Sequence, residues 1–178
     1  MQWLAGARRL LGTLGAMASK STLIQSLIDL GTSLGFDVLT EVEASESAWV
    51  DVVWFDKRLP VGKKKPRMRY APVLPVAAFE VEIKTGLNPK HVKGSVSNLS
   101  NLGALLGVVV IGNETLKLLK KQPAHSSKTD LELEQNLRDR VYRWVYAEAQ
   151  PRNRVIVMFE REVAEWVLRM VPPQRAGT

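Results

Sequence analysis

The feature that most constrains the fold of this chain is the run LGVVVI at residues 106 to 111, which is apolar almost without interruption. Such a strand is stable where both of its faces are covered, as in the centre of a sheet that lies between helices. The segment before it starts with Asn88 and Pro89, a helix cap followed by proline in the first turn, and stops at Gly103. A capped helix leading into a buried strand predicts an α/β fold.

The rest of the chain adds helices and strands in a definite order. Leu and Ile recur at helical spacing after Ser19 and Ser21 and stop at Gly35. The predicted strands are 36–43, 49–55, 76–85, 106–111 and 154–159, and the later helices are 114–121, a long one opened by the capping box Thr129 to Glu132, and 160–170. Three consecutive strands favour an antiparallel meander, and the strand, helix and strand after them add a parallel pair. We therefore expect a mixed central sheet flanked by helices.

A chain of 178 residues is long enough to bury one sizeable core. We expect an N-terminal extension over 1–18, a single domain over 19–172 and a tail over 173–178. Arg8-Arg9 and a short apolar stretch ending at Ala16-Met17-Ala18 have the rough layout of a secretory signal. A plain extension, a targeting segment and a true start at Met17 are all compatible with this stretch.

The composition excludes several classes of function. The absence of Cys removes thiolate zinc sites, disulfide scaffolds and Cys nucleophiles, and the two His leave little room for histidine catalysis. No apolar run approaches the roughly 20 residues of a membrane span. The net charge of +7 attracts polyanions such as nucleic acid. We expect a cytoplasmic protein that associates with DNA and not with a membrane.

Charged residues alternate along the third predicted strand. A period of two divides it into an apolar face, Phe79, Val81 and Ile83, and a charged face, Glu80, Glu82 and Lys84. The preceding strand carries an isolated carboxylate, Asp51, which approaches Glu82 if the two strands pair. Carboxylates on an interior strand are costly without a cation, and Mg²⁺ prefers oxygen ligands. A lysine beside such a metal can orient water and offset phosphate charge, so the pattern indicates a phosphodiester hydrolase. The alternative is a solvated strand face whose charges pair with one another.

Asp51 followed on the next strand by Glu82-Ile83-Lys84 resembles the PD-(D/E)xK nuclease superfamily, which includes restriction endonucleases and archaeal Holliday junction resolvases. The resemblance covers residues 20 to 112, and Val50 stands where a proline is frequent. It implies a restriction-endonuclease-like core of order αβββαβ. It also implies that Asp51, Glu82 and the Ile83 carbonyl bind Mg²⁺ or Mn²⁺ and that Lys84 activates water. In some relatives the acidic pair is read one step earlier, so Glu80 is a second candidate metal ligand or base.

A basic loop follows the strand of Asp51. Residues 57 to 70 hold seven Lys and Arg and no acidic residue, and the loop extends to residue 75. Beside the expected metal site, these charges predict contacts with the phosphate backbone. The candidate nucleic-acid-binding residues are Lys57, Arg58, Lys63, Lys64, Lys65, Arg67, Arg69, Lys90 and Lys93.

The sequence thus predicts a metal-dependent DNA endonuclease acting on double-stranded or branched DNA, with a homodimer as the default when both strands are cut. Two alternatives stay open. One is a nucleic-acid-binding protein that has kept the fold and lost catalysis, and the other is a nuclease specific for junctions or RNA.

Overall fold

The structure is a computed structural model that describes residues 19–58, 74–148 and 154–170. The helices are α1 (Lys20–Ser33), α2 (Pro89–Leu102), α3 (Asn113–Lys120), α4 (Asp130–Glu148) and α5 (Glu160–Met170). The strands are β1 (Asp37–Ser45), β2 (Ala48–Phe55), β3 (Pro75–Glu82), β4 (Leu106–Ile111) and β5 (Arg154–Phe159), and a 3₁₀ turn, Pro123–His125, precedes α4. The predicted extension 1–18 and tail 173–178 lie outside the described residues.

The described strands form one mixed sheet in the order β1-β2-β3-β4-β5. The first three run antiparallel to one another, and β4 and β5 run parallel to β3. The predicted α/β class, the meander and the parallel pair are therefore confirmed.

Helices cover both faces of the sheet. α1 and α5 pack on one face around Phe79 and Val110, and α2, α3 and α4 pack on the other around Val109 and Ile111. Residues 108 to 111 of β4 are fully buried, as their apolar run requires. Of the helices that the structure describes, none combines the length and the hydropathy needed to cross a bilayer.

The predicted helix starts are confirmed by their caps. The Ser19 hydroxyl accepts a hydrogen bond from the Thr22 amide at 3.1 Å, and the Asn88 side chain accepts one from the Lys90 amide at 3.0 Å. In the capping box, the Thr129 amide donates to Glu132 at 2.7 Å. These caps fix the start of each helix relative to the sheet.

Trp54 fixes α1 on the sheet. Its indole N–H donates to the Leu27 carbonyl at 3.1 Å, and its ring fills the space that a Cβ on Gly31 would need. The second half of α1 therefore lies over the end of β2, and Phe36 leads from there into β1. The first residue of α1, Lys20, lies nearer the start of β2, beside Asp51.

The two edges of the sheet differ. At the β5 edge, side chains bind the outward backbone groups: Arg138 donates to the Val157 carbonyl at 2.7 Å, and Glu162 accepts from the Phe159 amide at 2.9 Å. At the β1 edge, no further strand of the described chain is paired, and Glu41 has a left-handed φ of 49°. One edge is closed by side chains, and the other is interrupted by a distorted residue.

Candidate functional site

Three carboxylates converge where β2 and β3 meet. Val52 pairs with Phe79 in the antiparallel register, so the next residues outward, Asp51 and Glu80, come within range of each other's charge. Glu82 lies two residues further along β3 on the same face as Glu80. We call Asp51, Glu80 and Glu82 the acidic cluster.

Asp51 bridges β3 and α1. Its Oδ2 accepts a hydrogen bond from the Val81 amide at 2.8 Å and lies 2.9 Å from the Nζ of Lys20, the first residue of α1. The Asp51 side chain is 16% exposed and that of Lys20 is 50% exposed. An ammonium therefore borders the acidic cluster on its solvent side.

Glu80 is the most buried member, with 6% of its surface exposed. Its Oε1 accepts a hydrogen bond from Asn98 of α2 at 3.0 Å. Burial raises the pKa of Glu80 to about 8, since the Asn98 amide and the Lys20 ammonium offset only part of the cost of burial and of repulsion from Asp51 and Glu82. Glu80 therefore holds a proton at neutral pH.

Glu82 is held by hydroxyl groups. Ser95 of α2 donates to its Oε1 at 2.6 Å, and Thr85 donates to its Oε2. The contacts bring β3, α2 and the turn after β3 together around one carboxylate. In the described chain, no Lys or Arg contacts Glu80 or Glu82 directly, so neutral donors satisfy both.

The third strand ends earlier than the sequence predicts. β3 stops at Glu82 because its parallel partner β4 stops at Ile111, where Gly112 turns into α3 and donates its amide to the Glu82 carbonyl at 2.9 Å. Lys84 lies beyond the strand, 71% exposed and 3.3 Å from Glu114 of α3. The alternation that places it on the face of Glu80 and Glu82 does not extend that far.

The Ile83 carbonyl, expected as a metal ligand, accepts a hydrogen bond from the Thr115 hydroxyl at 2.8 Å. Within residues 19–58, 74–148 and 154–170, no three Asp, Glu or His side chains are arranged to hold a metal ion. The acidic cluster fits a cation in its donor chemistry, because hard carboxylate oxygens outnumber the neighbouring positive charges.

The basic loop leaves the sheet at the end opposite to Glu82. Arg58 precedes the undescribed segment and Leu74 follows it, and the Asp56 amide donates to the Leu74 carbonyl at 3.3 Å. From Pro75 to Glu82, β3 spans about 23 Å at about 3.3 Å per residue. The ends of the basic loop therefore lie away from Glu82, and the expectation that its charges lie beside the site stays a prediction, because residues 59–73 are outside the described residues. In a β2–loop–β3 hairpin the loop must join the start of β3, whereas the acidic residues lie near its end.

Four of the predicted phosphate-binding residues lie within the described part of the chain. Lys57 is exposed, whereas Arg58 forms an ion pair with Asp56 that holds the pKa of that carboxyl down at about 2. Lys90 is exposed in the first turn of α2, and Lys93 is partly buried. The remaining candidates, Lys63, Lys64, Lys65, Arg67 and Arg69, lie outside the described residues.

Sequence reasoning missed four residues of this site, and one of them is Thr85, which donates to Glu82. Ser95 and Asn98 interrupt the apolar stripe of α2 at helical spacing, and such polar interruptions are a readable signal of an inward-facing contact. Lys20 carried no comparable signal, because it lies 31 positions before Asp51 and belongs to no periodic pattern.

A second charged cluster joins α4 to α5. Arg138 donates to Glu162 at 2.8 Å and lies 4.8 Å from the centre of the Phe159 ring. Arg161 pairs with Glu134 at 2.9 Å and also with Glu165, and these contacts raise its pKa. Each of the three carboxylates contacts a guanidinium. We call this set the α4–α5 charge network, and its members are Glu134, Arg138, Arg161, Glu162 and Glu165.

The comparisons with known proteins return no relative. No family model matches the chain, and no curated protein or solved structure is significantly similar to it.

Proposed function

We propose that this protein is a metal-dependent endonuclease that hydrolyses DNA phosphodiester bonds at the acidic cluster, on a core of the restriction-endonuclease type. The observation that carries the proposal is the charge imbalance of the cluster. Two charged carboxylates, Asp51 and Glu82, lie beside the protonated Glu80 at the junction of two strands, and among the described residues a single ammonium, that of Lys20, contacts one of them. A cation binding here relieves that imbalance.

The three carboxylates have different roles because their surroundings differ. The Val81 amide anchors Asp51, and the Ser95 and Thr85 hydroxyl groups anchor Glu82. These uncharged donors orient both carboxylates and leave their negative charges in place. Mg²⁺ or Mn²⁺ held there would supply a Lewis acid for the phosphate and lower the pKa of a bound water. Glu80 keeps its proton at neutral pH and gives it up when a cation lowers the cost of its charge.

In the reaction proposed, a water oxygen bonds to phosphorus and the bond from phosphorus to the 3′ oxygen breaks. The 3′ oxygen takes a proton from solvent, and the attacking water releases one. The net charge of +7 favours the approach of a polyanion.

A binding protein with no catalysis is the second candidate, and two contacts favour it. Lys84 pairs with Glu114, and the Ile83 carbonyl pairs with Thr115, so two expected parts of the catalytic motif are engaged elsewhere. In that case the protein binds DNA without cutting it, with or without metal.

The test is cleavage of supercoiled, single-stranded, flap and four-way-junction DNA with Mg²⁺, Mn²⁺ or EDTA. Asp51→Asn and Glu82→Gln are compared with Asp130→Asn, which alters an exposed carboxylate paired with Lys120. We expect metal-dependent cutting that the first two variants reduce by about 1,000-fold or more while they still bind DNA. Salt-sensitive binding with no cutting on any substrate would favour the second candidate, and cutting that survives both substitutions would move the site elsewhere.

A further inference from the structure

In the part of the chain that the structure describes, Lys20 is the cation that contacts the acidic cluster. Its ammonium lies 2.9 Å from Asp51 Oδ2, the atom that also accepts the Val81 amide, and its charge reaches Glu80 as well. Half of the side chain is exposed, so the ammonium faces both the carboxylates and solvent. A phosphate approaching the cluster meets this charge.

The backbone fixes that position. Ser19 caps α1 directly before Lys20, and Trp54 holds the helix against the sheet. The amide groups in the first turn of α1 add positive potential at the same place. The backbone position of Lys20 beside Asp51 is therefore set by the packing of α1 on the sheet.

Lys84 lacks these contacts. It lies past the end of β3, is 71% exposed and is paired with Glu114. Of the two lysines, Lys20 contacts Asp51 and its charge acts on Glu80, whereas Lys84 forms its ion pair with α3.

We propose that Lys20, and not Lys84, is the catalytic lysine of this site, contacting the scissile phosphate or the attacking water beside Asp51. This inference rests on the proposed nuclease function. Lys20 acts as a fixed positive charge: no bond to its nitrogen forms or breaks, and it offsets the negative charge that develops on phosphate oxygens. Because it shares Asp51 with the cation site, its charge also opposes metal binding there.

The test compares Lys20→Met, which keeps the length of the side chain and removes the charge, with Lys20→Arg and Lys84→Met. Lys117→Met, on the exposed side of α3, is the control. Circular dichroism checks that each variant is folded. Single-turnover cleavage rates at saturating protein and DNA affinities in EDTA separate chemistry from binding.

We expect Lys20→Met to slow single-turnover cleavage about 100-fold while DNA affinity changes less than about threefold, and Lys20→Arg to recover at least a tenth of the rate. The factor by which Lys84→Met slows cleavage should be at least tenfold smaller than the factor for Lys20→Met. Without DNA, calorimetric titration with Mn²⁺ alone should show tighter binding by Lys20→Met than by the wild type.

Three outcomes overturn the inference. If the wild type cuts and Lys20→Met cuts equally fast, Lys20 is an ordinary surface ion pair and the proposed function stands. If Lys84→Met loses more rate than Lys20→Met, Lys84 acts as the sequence suggested. If the wild type cuts no substrate, the proposed function and the role of Lys20 are both rejected.

Discussion

The acidic cluster and the α4–α5 charge network both place charged side chains at the junction of sheet and helices, yet they are compensated differently. In the network every carboxylate contacts a guanidinium, and Arg138 also covers the Phe159 ring. Among the described residues, Asp51 alone in the acidic cluster contacts a cation, and Glu80 and Glu82 are held by an amide and hydroxyl groups. Matched charges suit a joint between helices, whereas carboxylates held by neutral donors keep a net attraction for a cation.

The largest expected loss of stability at a fixed pH comes from breaking the matched network. Arg138→Met removes the donor to Glu162 and to the Val157 carbonyl, leaving a partly buried carboxylate with no guanidinium and an edge carbonyl without its partner. We expect a loss of about 3 kcal/mol in the free energy of unfolding, measured by urea denaturation. Cleavage by the fraction that stays folded should be unchanged, and a loss below about 1 kcal/mol would show that the network contributes little.

The second prediction concerns the proton on Glu80. Its carboxyl has a pKa of about 8 in the folded protein against 4.5 as a reference, so the folded state holds a proton that the unfolded chain releases. Stability from this group is therefore full below about pH 4.5 and declines as the pH rises to about 8.

Glu80→Gln removes that decline. We expect the variant to gain about 4 kcal/mol over the wild type on going from about pH 5 to about pH 8.5, measured by urea denaturation across that range. Parallel pH profiles for the two proteins would mean that Glu80 is ionised in the folded state.

The third prediction tests whether a cation binds to the acidic cluster and not to the α4–α5 charge network. At about pH 8, Mn²⁺ at ten times its dissociation constant should stabilise the wild type by about 1.4 kcal/mol, and EDTA should reverse the gain. Asp51→Asn should lose this stabilisation and Arg138→Met should keep it. Equal stabilisation of the wild type and Asp51→Asn would place the bound ion away from the acidic cluster.

The smallest expected effect is at an exposed pair. Lys120 lies 2.6 Å from Asp130, but the two side chains are 46% and 76% exposed. Lys120→Met should change the unfolding free energy by no more than about 0.5 kcal/mol. A loss comparable with that of Arg138→Met would mean that burial does not separate the two kinds of ion pair.

Local signals in the sequence predicted most of the fold. The caps at Ser19 and Asn88 and the box from Thr129 to Glu132 act within a few residues, so a reader of the sequence can find them. The apolar run of β4 likewise predicts its own burial. These elements required no knowledge of distant parts of the chain.

The site depended more on distant contacts. The faces of Glu80 and Glu82 follow from alternation, and both turn toward α2 as the pattern requires. The end of β3 is set by the length of β4, and the ion pair of Asp51 by the start of α1, neither of which the strand's own residues encode. The two points at which the basic loop joins the sheet can be predicted from the sequence, because a hairpin connection joins the end of one strand to the start of the next.

The unequal edges of the sheet limit how this protein can assemble. Arg138 and Glu162 occupy two outward backbone groups of β5, the Val157 carbonyl and the Phe159 amide, so among the described strands β1 is the less obstructed edge for a neighbouring chain. Two copies joined β1 to β1 about a two-fold axis leave their β5 edges outside. Because side chains compete there for backbone groups that a further strand would need, growth by strand addition is disfavoured beyond a pair.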